Sequence, residues 1–167
     1  LVFKPTSIFM GYAAGPPQYY AFKEVVSGIG CIAHATIKQY REGILVWLGD
    51  DNIYVGGISR QPTSVGDRIR PRLRAITALT NIAKARAIID RQNHLYTLFL
   101  PYIDDSRVNH FFTINLKNGS WWEGVYNIAT VDITDGMEFR DNPWSTKQLL
   151  GNADGEFFES SFSYKYD

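Results

Sequence analysis

The stretch Gly43–Gly57, GILVWLGDDNIYVGG, decides the fold class. Two runs of β-branched and aromatic residues flank the polar cluster Asp50-Asp51-Asn52. Trp47, Ile53 and Tyr54 are residue types that fit a pleated, half-buried surface, and Asp and Asn take up turn geometry readily. The segment therefore reads as a hairpin. Looser versions recur downstream at Asp90–Pro101 (DRQNHLYTLFLP), Thr113–Tyr126 (TINLKNGSWWEGVY) and Gln148–Ser160 (QLLGNADGEFFES). Each is strand, polar turn, strand. Asn118-Gly119 and Asp154-Gly155 are the strongest turn signals, because a tight hairpin turn needs positive φ and these pairs adopt it at little steric cost.

Composition agrees. The chain has 167 residues, 45% hydrophobic and 20% charged, enough apolar material for a core and too little charge for disorder. Ten Tyr, ten Phe and four Trp against two Met favour sheet over helical bundle. No apolar run approaches the roughly 20 residues of a membrane span, and nothing resembles a signal peptide, so a soluble chain is expected. Cys31 is the single cysteine, which excludes an internal disulfide and a cysteine zinc cluster. The start at Leu1 without Met and the end directly after a strand-like run suggest a piece of a longer protein. Net charge is zero, yet residues 1–91 hold twelve Lys/Arg and six Asp/Glu, and residues 92–167 hold five and eleven. Such asymmetry suits head-to-tail packing of identical subunits, although scattered solvated charges give the same count.

Along the chain, residues 1–12 read as a strand pair broken at Pro5-Thr6, Tyr19–Val26 as a strand, and Cys31–Ile37 as a strand pairing with Ile44–Leu48, then Ile53–Val55. From Gln61 to Ala87 the spacing of Ile69, Leu73, Ile76, Leu79, Ile82 and Ala83 turns helical, predicting one helix near residues 73–83 with Pro71 near its start. Four strands follow at Arg86–Ile89, His94–Leu100, His110–Leu116 and Ser120–Val125, forming one up-and-down sheet. A strand at Ile128–Ile133, a polar loop at Thr134–Thr146 and a last pair at Gln148–Gly151 and Glu156–Phe162 complete the reading. The chain is thus expected to be one all-β unit of antiparallel meanders with blade-like segments at about 1–26, 30–60, 85–126 and 128–167. Their spacing of roughly fifty to sixty residues points to part of a β-propeller, with a sandwich as the alternative.

GCIAHATIK (Gly30–Lys38) followed by GILVWLGDDNIYVGG resembles the blade signature of tailed-bacteriophage β-propeller structural proteins. LVFKPTSIFMGY, with Lys4, Ser7 and Ile8, is similar to the strand pair these proteins carry one blade earlier. ARAIIDRQNHLYTLFLP, NGSWW and LLGNADGEFFE resemble later units, Gly151, Asp154 and Gly155 standing in the turn. His34 occupies a position where the family carries Pro, and the Asn93-His94 turn lacks the family's glycine. The likeness covers most of the chain through structural motifs. It implies a virion component made in the host cytoplasm: a tail hub, nozzle or head-completion protein whose partners are copies of itself and other tail or neck proteins along the DNA exit path.

Signals for chemistry are sparse. His34, His94 and His110 show no metal-binding spacing, so neither metal nor cofactor is expected. Asp50/Asp51 and Asp104/Asp105 read as turn formers, since adjacent carboxylates on a turn diverge and no calcium-loop spacing follows. Ser7, Ser27, Ser59, Ser64 and Ser106 lie outside any nucleophile motif, and no catalytic residues are assigned. Asn118-Gly119-Ser120 fits a glycosylation acceptor but is accounted for as a turn. The cluster Arg68, Arg70, Arg72, Arg74, Lys84, Arg86 and Arg91 is the candidate contact surface, facing a neighbouring subunit, DNA phosphates or solvent. Trp121, Trp122 and Trp144, with Tyr126, either fill blade cores or anchor partners. If exposed, such rings would suit a carbohydrate-binding module, the second reading. A propeller glycosidase ranks last.

Overall fold

The computed structural model describes residues 1–76, 79–103, 107–126, 131–142 and 145–160. Its described strands form four antiparallel sheets, each a meander with its strands in chain order. The chain divides into two compact units, Leu1–Ile76 and Thr77–Asp167.

In the first unit, β1 (Val2–Phe3), β2 (Ser7–Ala13) and β3 (Tyr20–Ser27) make one sheet, and β4 (Lys38–Arg41), β5 (Ile44–Leu48), β6 (Ile53–Gly57) and β7 (Arg60–Ser64) the other. GILVWLGDDNIYVGG is the hairpin β5–β6, with Trp47 opposite Tyr54 and the turn closed by Gly49 N–H to Asn52 C=O at 2.8 Å. Ile8, Cys31 and Trp47 form the core between the two sheets, flanked by Phe3, Val26 and Leu45. The Trp47 indole N–H donates to the Gly30 carbonyl at 2.9 Å, so the ring is buried with its one polar atom satisfied.

One expectation fails here and others shift their bounds. Cys31–Ile37 is not a strand: His34–Thr36 is a 3-10 turn, and β4 supplies the pairing to β5 instead. The Thr36 hydroxyl donates to Ala33 C=O at 2.6 Å and accepts from Leu48 N–H at 3.1 Å, so a side chain satisfies backbone groups that a ladder would otherwise need. Cys31 and Ala33 are buried, which explains the apolar pattern without a pleat. The helix expected near 73–83 begins earlier and is shorter, α1 spanning Arg70–Ile76. Gly66 C=O accepts from both Ile69 and Arg70, and buried Ile69 and Leu73, four apart, anchor that turn. Leu79–Lys84 is a separate 3-10 segment containing Thr80 and Asn81, both weak helix-interior residues. β7, in a stretch read as leaving the sheet, tolerates Pro62 because it is an edge strand.

In the second unit, β8 (Arg86–Asp90), β9 (Leu95–Pro101), β10 (Val108–Asn115) and β11 (Trp121–Val125) form the expected up-and-down sheet. Every residue of β9 is buried, as its continuous apolar run requires. The β8–β9 turn manages without glycine: His94 takes φ 61, and the Asp90 carboxylate accepts from the Asn93 amide N–H at 2.9 Å and its side chain at 2.7 Å. β12 (Ile133–Asn142), β13 (Ser145–Asn152) and β14 (Phe157–Ser160) make the last sheet. The polar loop expected at Thr134–Thr146 is therefore mostly strand. Met137 pairs with Leu149 and Phe139 with Lys147, so ladder partners outweigh a polar composition, and Gly136 admits the Ile88 side chain. Residues 128–130 of the expected strand at Ile128–Ile133 lie outside the described residues. Ile88, Phe99, Val108, Val131, Ile133 and Leu150 form the core between the unit's two sheets.

Each sheet lays an aromatic ring over a glycine on a neighbouring strand. A Cβ on Gly11 would stand 2.9 Å from the Phe22 ring, on Gly56 2.9 Å from Trp47 and on Gly151 3.4 Å from Phe157. On Gly124 it would collide with Phe111.

Candidate functional site

The basic residues do not form one free patch. Arg70 ion-pairs with Asp51, and the Arg74 guanidinium lies 3.9 Å from the same carboxylate. Asp51 also accepts the Tyr54 hydroxyl at 2.6 Å, while Asn52 and Ser64 donate to Asp67 at 2.6 and 2.9 Å. The hairpin turn thus fastens the start of α1. Burial first, then the hydrogen bond and charge of Asp51, pushes the Tyr54 phenol up to about 12. Arg68 and Arg72 are exposed beside this network. In the second unit, Arg86 donates to Thr134 C=O at 2.8 Å and to Ala83 and Ala85 C=O at 3.0 Å. Arg91 pairs with Glu138 at 2.6 Å, and Lys84 is exposed at the end of the 3-10 segment. Arg70, Arg74, Arg86 and Arg91 therefore hold the fold together locally.

The tryptophans divide by face. Trp121 is 37% exposed, its ring 6.2 Å from Phe112, whereas Trp122 is half-buried on the other side of β11. Trp144 lies outside the described residues. More exposed apolar surface sits where no contact was expected, on the first and last sheets. Tyr20 and Phe22 of β3 are 77% and 63% exposed, and Met137 of β12 and Phe157 of β14 are 58% and 78% exposed. Met137, Leu149 and Phe157 line a shallow groove of about 360 Å³ with Asp135 at its edge. A strand apolar on both faces was the available signal, and YAFKEVVS partly shows it.

No cluster of three or more His, Cys, Asp or Glu that could hold a metal occurs among the described residues. His34 is exposed and His94 serves the turn. His110 is buried with Nε2 3.3 Å from a Glu123 carboxylate oxygen and its ring stacked on Tyr102 at 5.7 Å. Burial pushes the Cys31 thiol up, which suppresses thiolate reactivity. Asp104, Asp105 and Ser106 lie outside the described residues. A second hollow of about 480 Å³ is lined by Arg91, Gln92, Glu138, Arg140 and Thr146.

No protein-family model matches the chain, and no curated protein matches it in sequence. Among the described residues, no helix is long and apolar enough to cross a membrane.

Proposed function

We propose that this chain is a non-catalytic structural component of a bacteriophage tail or neck, of hub or nozzle type, built from propeller-like blades and assembling with copies of itself and neighbouring tail proteins around the DNA exit path. The observation that carries this reading is the succession of four separate meander sheets, each with its strands in chain order. Successive up-and-down meanders of three or four strands support a blade-like reading, as does the core that each unit's two sheets share. Rigid sheets supply contact surfaces, and closed symmetry among identical copies would set a bore. The phage assignment itself rests on the resemblance carried by GCIAHATIK and the hairpin that follows it. Mass measurement and electron microscopy of the full-length protein test it. Closed rings with radial sheet density are expected, and a monomer at all concentrations would overturn the reading.

The exposed rings of Trp121, Tyr20 and Phe22 favour one second reading, a carbohydrate-binding module, because flat aromatic faces suit sugar rings. Glycan-array binding that disappears in Trp121→Ala, with no ring formation, would select it.

A further inference from the structure

The aromatic-on-glycine device occurs four times but is covered only twice. Trp47 over Gly56 is buried in the core it shares with Ile8 of β2, and the Phe3 ring of the first sheet meets it edge-on at 5.2 Å. Phe111 over Gly124 packs on Tyr126 at 5.1 Å and against the core that contains Leu150 of β13. In both cases a neighbouring meander provides the cover. Phe22 over Gly11 and Phe157 over Gly151 repeat the device on the opposite faces of the first and last sheets. Gly11 and Phe22 point away from Ile8, and Phe157 points away from Phe158 and the core. There the rings lie open to solvent.

These two faces carry large exposed rings beside few charges, Glu24 on the first sheet and the Lys147–Glu159 ion pair at 3.2 Å on the last, and exposed apolar patches of this kind mark contact surfaces. On the first sheet the apolar surface extends through Tyr20 and Phe9, the latter beneath the Lys4 ammonium at 4.4 Å. On the last it extends through Met137 and Leu149. The units also differ in charge. Residues 1–76 hold nine Lys/Arg and five Asp/Glu, a net of +4; residues 77–167 hold eight and twelve, a net of −4. Opposite potentials favour first unit against second unit and oppose like against like.

We infer that the open face of the first sheet, centred on Phe22, docks on the open face of the last sheet, centred on Phe157, of a second copy of this chain. This deepens the structural reading above and rests on it. The contact joins two different surfaces, so each added copy presents the same pair again. Such an interface propagates until rotation closes it into a ring.

Phe22→Lys and Phe157→Asp test the pairing by sedimentation velocity and mass photometry. The wild-type chain assembles, and each variant alone sediments as a monomer, its association weakened by about tenfold or more because a lone charge meets an apolar face. An equimolar mixture of the two variants reassembles, since the introduced ammonium of one then faces the introduced carboxylate of the other and the remaining two faces are wild-type. Circular dichroism confirms folding, and should either variant misfold, Tyr20→Lys and Met137→Asp occupy the same faces. Single variants that assemble like wild type, or a mixture that stays monomeric, overturn the docking assignment while leaving ring formation standing. A monomeric wild-type chain overturns both.

Discussion

Tyr54 shows how one side chain ties a turn to a helix. Its hydroxyl donates to Asp51, and the same carboxylate receives Arg70 from α1, nineteen residues away. In the folded chain the phenol pKa is pushed up to about 12, against 10.0 for an unperturbed tyrosine. Between those values the folded state binds more protons than the unfolded state. Stability present below pH 10 is therefore lost as pH rises toward 12. In Tyr54→Phe that alkaline decline should be shallower, and stability at neutral pH should fall by about 1 kcal/mol with the lost hydrogen bond. Urea unfolding of both chains at pH 8 and pH 11 measures this, and equal alkaline losses would refute it. Asp50-Asp51-Asn52 was readable as a turn because its chemistry is local. The partnership with Arg70 was not, since a spacing of nineteen residues carries no periodic signal.

Among the elements, strands whose turn and alternation agree were legible: β5–β6 and β8–β11 lie where the residue pattern puts them to within a residue or two, and the β13–β14 turn was placed although β13 starts three residues earlier, inside the expected loop. The errors share one cause. Cys31–Ile37 looked like a strand because it is apolar, and Thr134–Thr146 looked like a loop because it is polar, but in each case the hydrogen-bond partner decided the conformation. Within the arginine cluster, sequence proximity showed the charges, while Asp51, Glu138 and the Thr134 carbonyl that receive Arg70, Arg91 and Arg86 come from distant parts of the chain. The seating of rings on glycines gives a direct test. Gly124→Ala places a methyl group against the Phe111 ring and should cost about 1–3 kcal/mol by chemical denaturation. Gly28→Ala, with open space at its Cβ, should lose only the penalty of its φ of 80°. Equal costs at the two sites, with unchanged NMR shifts of the Phe111 ring, would show that Phe111 does not need the glycine.

For the molecule as a whole, the charge difference between the two units supplies a further expectation. If copies meet first unit to second, association should slow by on the order of tenfold between about 50 and 500 mM salt, while dissociation, governed by the apolar contact, changes little. Stopped-flow light scattering separates the two rates. An association rate indifferent to salt would remove electrostatics from the docking and leave shape and apolar area alone to direct it.

Residue order alone settled that this chain is a series of antiparallel hairpins, because alternation, β-branched and aromatic runs, and Asn-Gly or Asp-Gly turns act over distances of a few residues. It also settled the opposition of charge between the two halves. Folding in three dimensions decided which cations are consumed by carboxylates and carbonyls, which polar stretch becomes a strand, and which aromatic rings stay in water. Those outcomes depend on long-range partners whose free energies outweigh local preference, and a ring such as Phe22 is left exposed or covered only by what stands opposite it.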